Sequence, residues 1–366
     1  MHNKRLLRRR IKAWFGLKPA PEPAPLGYRQ RLPRRRQAAR PDFKPSFQQY
    51  ESTGLPIKPV RMTGCETWVY KLQENTVEQV AASDADVFVM DPHSDGMASV
   101  FTPADVIRMR QRPGIATPQK LLAYMSIGEA EEKRFYWQPG WVRKHGDRIS
   151  IAKDAPAWLV AQNGEGWLDN FKVQYWHPDW QKLIIGDGMF LDRIIAAGFD
   201  GVYLDIIDGF QFFEKRDDRK TAQAEMVTFV QRICRAARAK RPDFLIVPQN
   251  GEELMHYDDY CDAISAIGKE DILFNQKEGL SINTRCFVVR QNAKDIRDVA
   301  ADLNRGLKAG IPVLSVEYLR DDASNRSLIP DTESEVRALG YLPYFADRHL
   351  RHIHPAAKRP APVAMS

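Results

Sequence analysis

The chain has 366 residues, 43% of them hydrophobic, with 22 glycines and 24 prolines, enough for one large folded domain with a sizeable core plus a tail. Its net charge of +7 divides unevenly: residues 1–60 carry fifteen Lys and Arg against three acidic residues, a surplus of +12 that leaves the remaining chain at −5. A mildly acidic body excludes a folded, basic nucleic-acid-binding domain, which would need Lys and Arg fixed against phosphates, and no run reaches the ~18 apolar residues of a membrane span.

Residues 1–60 hold nine of the prolines, interleaved with Arg8-Arg9-Arg10 and Arg34-Arg35-Arg36. Such a segment cannot bury enough apolar surface to offset the entropy of ordering it. It predicts a basic, mostly disordered extension with a short amphipathic helix at Lys4–Phe15. Two readings stay open for it: a plain solvated tail, or weak contact with an anionic surface such as lipid or nucleic acid. The stretch Ile11-Lys12-Ala13-Trp14-Phe15 is too short and too charged for the ~7–15 apolar residues of a signal peptide. The sequence as given therefore predicts cytoplasmic residence, with an extracytoplasmic one open if translation starts elsewhere.

From residue 61 to 351 short apolar strands alternate with helical stretches, the pattern of a parallel sheet built from βα units. Strands are expected at Trp68–Leu72, Val87–Asp91, Leu121–Ile127, Gly201–Ile207, Phe244–Gln249, Ala263–Gly268, Val313–Tyr318 and Leu342–Phe345. Helices are expected at Val77–Ala82, Pro103–Arg110, Trp180–Ala197, Ala222–Lys240 and Ala293–Ala309, the last closed by Gly310. Arg285–Arg290 is a ninth strand candidate or a hairpin arm. Eight strands with intervening helices predict an α/β fold, a (β/α)8 barrel, followed by a C-terminal tail at 352–366.

Cys65, Cys234, Cys261 and Cys286 lie far apart, with no C-x-x-C pair and no regular metal-ligand spacing, and read as buried thiols. His352 and His354 form an H-x-H element, but with no acidic or cysteine ligand evident beside it the expectation is no metal. Without a P-loop or a G-x-G-x-x-G after a strand, no cofactor is expected either. Oligomeric state is not legible.

In a barrel of this kind the active site forms at the C-terminal strand ends. Here those ends are acidic: Asp91, Glu129, Asp205 with Asp208, Asn250 with Glu252 and Glu253, Glu270, and Glu317. One such carboxylate is commonly a helix cap, but a run of six strand ends is better explained by a shared cleft. Alternation along Gly201–Asp208 puts Tyr203 and Asp205 on one face and Val202, Leu204 and Ile206 on the other, directing Asp205 into the barrel mouth. On the sixth strand Ala266 and Gly268 share the face of Glu270, small residues expected to leave room for a ligand. Glycoside hydrolysis needs two carboxyl groups flanking the scissile bond, and Asp205 and Glu270 are the pair this reading selects. Trp137, Trp141, Trp158, Trp167, Tyr175, Trp176 and Trp180 are expected mostly in the core, with an exposed few stacking on sugar rings.

Several segments resemble glycoside hydrolase family 114, the endo-α-1,4-polygalactosaminidase type. Leu122-Ala123-Tyr124-Met125-Ser126-Ile127-Gly128-Glu129-Ala130-Glu131, then Arg134-Phe135-Tyr136-Trp137, is similar to the family's A-Y-x-S-I-G-E-A-E and R-x-Y-W elements. Gly198-Phe199-Asp200-Gly201-Val202-Tyr203-Leu204-Asp205 resembles its G-F-D-G-V-Y-L-D strand, and Val247-Pro248-Gln249-Asn250-Gly251-Glu252-Glu253-Leu254 its P-Q-N-G-E-E-L. The likeness runs in order through most of 64–350. It implies a barrel in which Asp205 is the nucleophile and Glu270 the acid/base, acting on α-1,4-linked galactosamine polymers, with a polysaccharide or amino-sugar oligomer as partner. Asp91, Tyr124, Glu129, Tyr203, Asp208, Asn250, Glu252 and Glu317 are the expected substrate-binding residues. Two departures stand out: Asp91-Pro92-His93, where the family more often has an aspartate followed by Tyr-Ser, and extra sequence around Gln276–Arg290.

Proteins of this group have also been labelled as related to cysteinyl-tRNA synthetase, yet neither an H-I-G-H element near the first strand nor a K-M-S-K-S loop is present. A polysaccharide deacetylase would need an Asp and His metal set that eight scattered histidines do not supply. The alternative that survives is a non-catalytic carbohydrate-binding barrel.

Overall fold

The computed structural model describes residues 56–93, 100–112, 114–145, 148–163, 168–276 and 288–357. The expected disordered extension at 1–55, the Lys4–Phe15 helix, Trp167, Cys286 and the end of the tail lie outside the described residues. Of the other cysteines, Cys234 and Cys261 are buried as expected, while Cys65 is half-buried.

Eight parallel strands form the barrel: β1 (Trp68–Tyr70), β2 (Val87–Met90), β3 (Lys120–Ser126), β4 (Gly201–Asp205), β5 (Leu245–Pro248), β6 (Ile267–Glu270), β7 (Val313–Glu317) and β8 (Leu342–Phe345). The ladder is continuous through β1–β5 and through β6–β8, and a parallel bridge between Gln249 and Gly268 joins the two arcs. Across the β8/β1 seam, the indole N–H of Trp68 donates to the Leu342 carbonyl at 2.9 Å. Neighbours pair in simple register, as Tyr124 opposite Tyr203 and Ser126 opposite Asp205.

Aromatic rings plug the interior. Trp68 lies 6.4 Å from Tyr203 and 5.6 Å from Tyr344, ring centre to ring centre, and Tyr70 lies 5.1 Å from Tyr203. A Cβ on Gly268 would come within 2.0 Å of the Tyr203 hydroxyl oxygen. The small residues expected to leave space for ligand on β6 therefore leave space for the Tyr203 ring, which makes the floor on which the carboxylates stand.

The helices follow local sequence signals. Pro103–Arg110 starts with a capping box in which the Thr102 hydroxyl and the Asp105 carboxylate satisfy each other's backbone N–H groups. Ala222–Lys240 runs as expected. The single helix expected over Trp180–Ala197 is two, Pro178–Ile185 and Phe190–Ala197, because Gly186-Asp187-Gly188 breaks it and Gly188 takes a left-handed φ of +70°. The sixth strand is shifted: Asp258–Ala263 is helical and pairing begins at Ile267. The ninth strand candidate is a hairpin arm, with Val288–Arg290 antiparallel to Phe274–Gln276.

Packed chain extends beyond both expected boundaries. Ile57 and Val60 lie against the core and Met62 is buried, while the Arg61 guanidinium donates to the carbonyls of Cys261, Ile264 and Ala309. At the other end Ala356 is buried and the Ala357 carbonyl accepts from Arg337, so residues 352–357 belong to the body rather than to a tail.

Candidate active site

At the C-terminal strand ends one cavity of about 1250 Å³ opens, lined by Asp91, Tyr124, Glu129, Asp205, Asp208, Asn250 and Glu270 among others. That volume exceeds the range of ordinary small-ligand pockets and suits an oligomer.

Asp205 ends β4 and is held by three donors. The Tyr124 hydroxyl reaches Oδ2 at 2.6 Å, while the Gln249 side-chain amide and the Ile206 N–H reach Oδ1 at 2.9 and 2.8 Å. Ile206 has a φ of +59°, a costly conformation for a β-branched residue. Gly128 makes it possible, since a Cβ there would meet the Ile206 carbonyl oxygen at 2.3 Å. The glycines of Ser126-Ile127-Gly128-Glu129 and of Ile206-Ile207-Asp208-Gly209 thus serve one turn that aims Asp205. Burial, with the charge of Glu270 added, pushes Asp205 up to about 8 against the hydrogen bonds from Tyr124 and Ile206.

Glu270 ends β6. Its Oε1 accepts from the Tyr318 hydroxyl and its Oε2 from the Asn250 side-chain amide at 3.0 Å. Asn250 and Asp271, at φ of +61° and +52°, turn the chain on either side of this contact. The Arg348 guanidinium stacks 4.6 Å from the Tyr318 ring centre and lies 3.5 Å from Asp271. Burial, with Glu270 adding to it, pushes Asp271 up to about 7 despite Arg348.

The other expected residues divide. Asp91 sits in the cleft wall, taking Arg134 at 2.8 Å and His93 at 2.9 Å. Burial pushes Asp91 up, but the Arg134 charge and the hydrogen bonds from His93 and Arg134 prevail and hold it well below the usual carboxylate range. Glu129 also reaches the cleft, yet its oxygens are engaged by Lys172 at 2.5 Å, Asn163 at 3.0 Å and Asn170 at 3.3 Å. This carboxylate secures the antiparallel flap of Glu129–Glu131, Leu159–Gln162 and Asn170–Val173. Asp208 is pushed up by burial, opposed by Lys172 and Lys269.

Three expected ligand contacts are absent from the cleft lining. Tyr203 is fully buried beneath it. Glu252 is paired with Lys269 at 3.1 Å behind the wall. Glu317, buried and pushed up to about 8 by desolvation and by Asp271, accepts the N–H groups of Leu273 and Phe274 at 2.8 and 3.1 Å, fixing the loop after β6.

Sequence reasoning missed Gln249 and Tyr318, the orienting partners of Asp205 and Glu270. Both were within reach, Gln249 inside the P-Q-N motif and Tyr318 one residue beyond a strand-end glutamate. The described members of the tryptophan cluster do not line the cleft either. Trp158, Tyr175 and Trp180 are buried, and Trp137, Trp141 and Trp176 pack against the core. The aromatic walls among the described residues come from Tyr70, Tyr124, Phe212 and Tyr318.

Comparison with known proteins agrees with this architecture. The glycoside hydrolase domain of PelA from Pseudomonas aeruginosa superposes with a TM-score of 0.57 at 15% identity, covering 79% of this chain and 97% of that domain. Aspergillus fumigatus Ega3, solved in complex with galactosamine, gives 0.53 at 17% identity, covering 83% and 98%. By sequence, an uncharacterized protein of Deinococcus radiodurans is 34% identical over 298 residues, 81% of this chain and 84% of its own length. Another from Methanocaldococcus jannaschii is 31% identical over 297 residues, 78% of each. The family model described as glycoside-hydrolase family GH114 matches residues 51–360, and the chain belongs to that family.

Proposed function

We propose that this glycosidase cleaves α-1,4-linked galactosamine-type polysaccharide by a retaining mechanism, with Asp205 as nucleophile and Glu270 as acid/base. The observation that carries the reading is the pair itself: two carboxylates at the ends of β4 and β6, in one cleft, each oriented by its own set of donors. The donors on Asp205 fix its oxygens, as an attacking group requires. Glu270 lies close enough to raise the proton affinity of Asp205, as a like charge in a low-dielectric cleft does. The productive arrangement leaves Asp205 ionised and the proton on Glu270 Oε, facing the glycosidic oxygen. Attack by Asp205 then forms a glycosyl ester as the C–O bond breaks and the proton passes to the leaving oxygen. Glu270 next takes a proton from water, which hydrolyses the ester. The amino-sugar preference rests on the family resemblance and on the galactosamine bound to the similar Ega3 structure.

The test is to incubate the pure protein with a panel of amino-sugar polymers and to resolve products by mass spectrometry. Shortened galactosamine oligomers that retain anomeric configuration are expected. Binding of the polymer with chain length unchanged would instead support a non-catalytic barrel. Asp205→Asn should abolish cleavage, while Glu270→Gln should spare an activated aryl glycoside, whose leaving group needs little proton donation.

A further inference from the structure

The H-x-H element dismissed on sequence grounds meets the carboxylate it was thought to lack. Asp347 follows β8 by two residues, and the chain then turns back so that Asp347 Oδ2 stands 3.3 Å from Nδ1 of His352 and 3.2 Å from Nε2 of His354. The two histidines are two residues apart, and their ring centres lie 6.2 Å from each other. We propose that Asp347, His352 and His354 form a binding site for one divalent transition-metal ion of the zinc class, a site separate from the two catalytic carboxylates.

Geometry and chemistry both favour an ion over simple hydrogen bonding. A charge-assisted N–H to carboxylate contact closes to ~2.7–2.9 Å, and both separations here are longer. With metal–ligand bonds of ~2.0–2.1 Å, the edges of a tetrahedron are roughly 3.3 Å, which matches the two distances. All three donor atoms lie within 4.8 Å of one another. Two imidazoles and one carboxylate suit zinc, cobalt or nickel and not the oxygen-seeking calcium or magnesium. The side chain of His352 is 72% exposed, which gives an entry path and leaves the fourth position to water.

The site is preorganised. Asp347 also accepts the N–H groups of Arg351 and His352, both at 3.1 Å, and the N–H of His354 donates to the Tyr344 hydroxyl at 3.2 Å. The surrounding charges are mixed. Asp321, one turn away, accepts the Arg348 N–H at 2.9 Å. Lys71 also senses Asp347, but its ammonium is engaged by the carbonyls of Gln73 and Glu74 and by the Asn75 side chain. Between the ligands, residues 349–351 line the catalytic cleft, so the ion would clip one rim of that cleft to the end of β8.

The test is calorimetric titration of the full chain, freed of metal with a chelator that is then removed, using Zn2+ alone, with Co2+ absorption as a second readout. One ion per chain at micromolar affinity or tighter is expected, with tetrahedral Co2+ bands. His352→Ala, at an exposed position, should weaken binding at least about ten-fold with an unchanged far-UV spectrum; His354→Ala should do the same. His352→Cys should restore much of the affinity, since zinc accepts thiolate, and the distant His256→Ala should bind as the wild type does. No binding, or wild-type affinity in either His352→Ala or His354→Ala, would overturn the site. None of these readouts depends on which polymer the enzyme cleaves.

Discussion

Replacing Asp205 by Asn should stabilise the protein by an amount that grows with pH. In the folded chain Asp205 is pushed up to about 8 by burial and by Glu270, whereas an unfolded aspartate titrates near ~3.9. Between those values the native state keeps a proton that the unfolded state releases, so stability falls as pH rises, by about 1.4 kcal/mol per unit for a whole proton. Below the unfolded value both states are protonated and the penalty vanishes; above the folded value it is complete. The ceiling is ~6 kcal/mol. Contact with cleft water and the sharing of repulsion with Glu270 reduce it by about half, to ~2–3 kcal/mol. The amide is tolerated locally: its oxygen takes the place of Oδ1 facing Gln249 and Ile206, and its NH2 replaces Oδ2 facing the Tyr124 hydroxyl, which can turn to accept. Denaturant melts of both proteins at pH 4, 6 and 8 provide the assay. A stability difference that stays constant across that range would refute the assignment of a strained, proton-holding Asp205.

Tyr124→Phe removes a donor that favours the ionised form of Asp205, so the acid limb of the pH–rate profile should move to higher pH by about one unit, given the ~1.5 kcal/mol or more of a hydrogen bond to a charge; an unmoved limb would separate Tyr124 from the nucleophile. Gly268→Ala drives a methyl into the Tyr203 hydroxyl and should cost about 2–3 kcal/mol in denaturant melts, less when combined with Tyr203→Leu; additive losses would mean that the ring does not fill that space. Deleting residues 1–55 should leave the melting temperature nearly unchanged, whereas deletion through residue 62 removes Met62 and the three Arg61 hydrogen bonds and should lower it by several degrees; equal melting of the two truncations would show that this segment contributes nothing.

The parts of this fold that could be read from the sequence are those set by local chemistry. The eight strands were legible because each is a short apolar run bounded by turn residues, and Pro103–Arg110 and Ala222–Lys240 because their caps and periodicity act within one segment. The break at Gly186-Asp187-Gly188 was written in the chain but outweighed by the apolar period on both sides. What could not be read was which polar side chain meets which. Glu317 and Glu252 occupy strand-end positions as acidic as those of Asp205 and Glu270. They differ only in that backbone N–H groups from the loop after β6 and the Lys269 ammonium, distant in sequence or on another strand, already occupy them. Tyr203 shares the inward face of Asp205 by strict alternation, yet two residues of rise put its ring a full layer lower, where only the absence of a side chain at Gly268 admits it.

The same limit governs the division of labour between the two carboxylates proposed as catalytic. Glu129 and Asp208, two of the strand-end carboxylates read from the sequence, line the same cleft. In the folded protein Glu129 is neutralised by Lys172 and two asparagines, and Asp208 faces Lys172 and Lys269. The charge that acts most on Asp205 is that of Glu270, with Asp208 adding less. Glu270 thus raises the proton affinity of Asp205, and attack by Asp205 in the proposed mechanism requires that proton to leave it. Among the donors on Asp205, the Tyr124 hydroxyl and the Ile206 N–H favour its ionised form, while the Asn250 amide on Glu270 is held in place because its oxygen accepts from the Glu270 N–H and the Lys269 ammonium. The orienting residue Tyr124 thus belongs to the acid–base chemistry as much as to the geometry of attack.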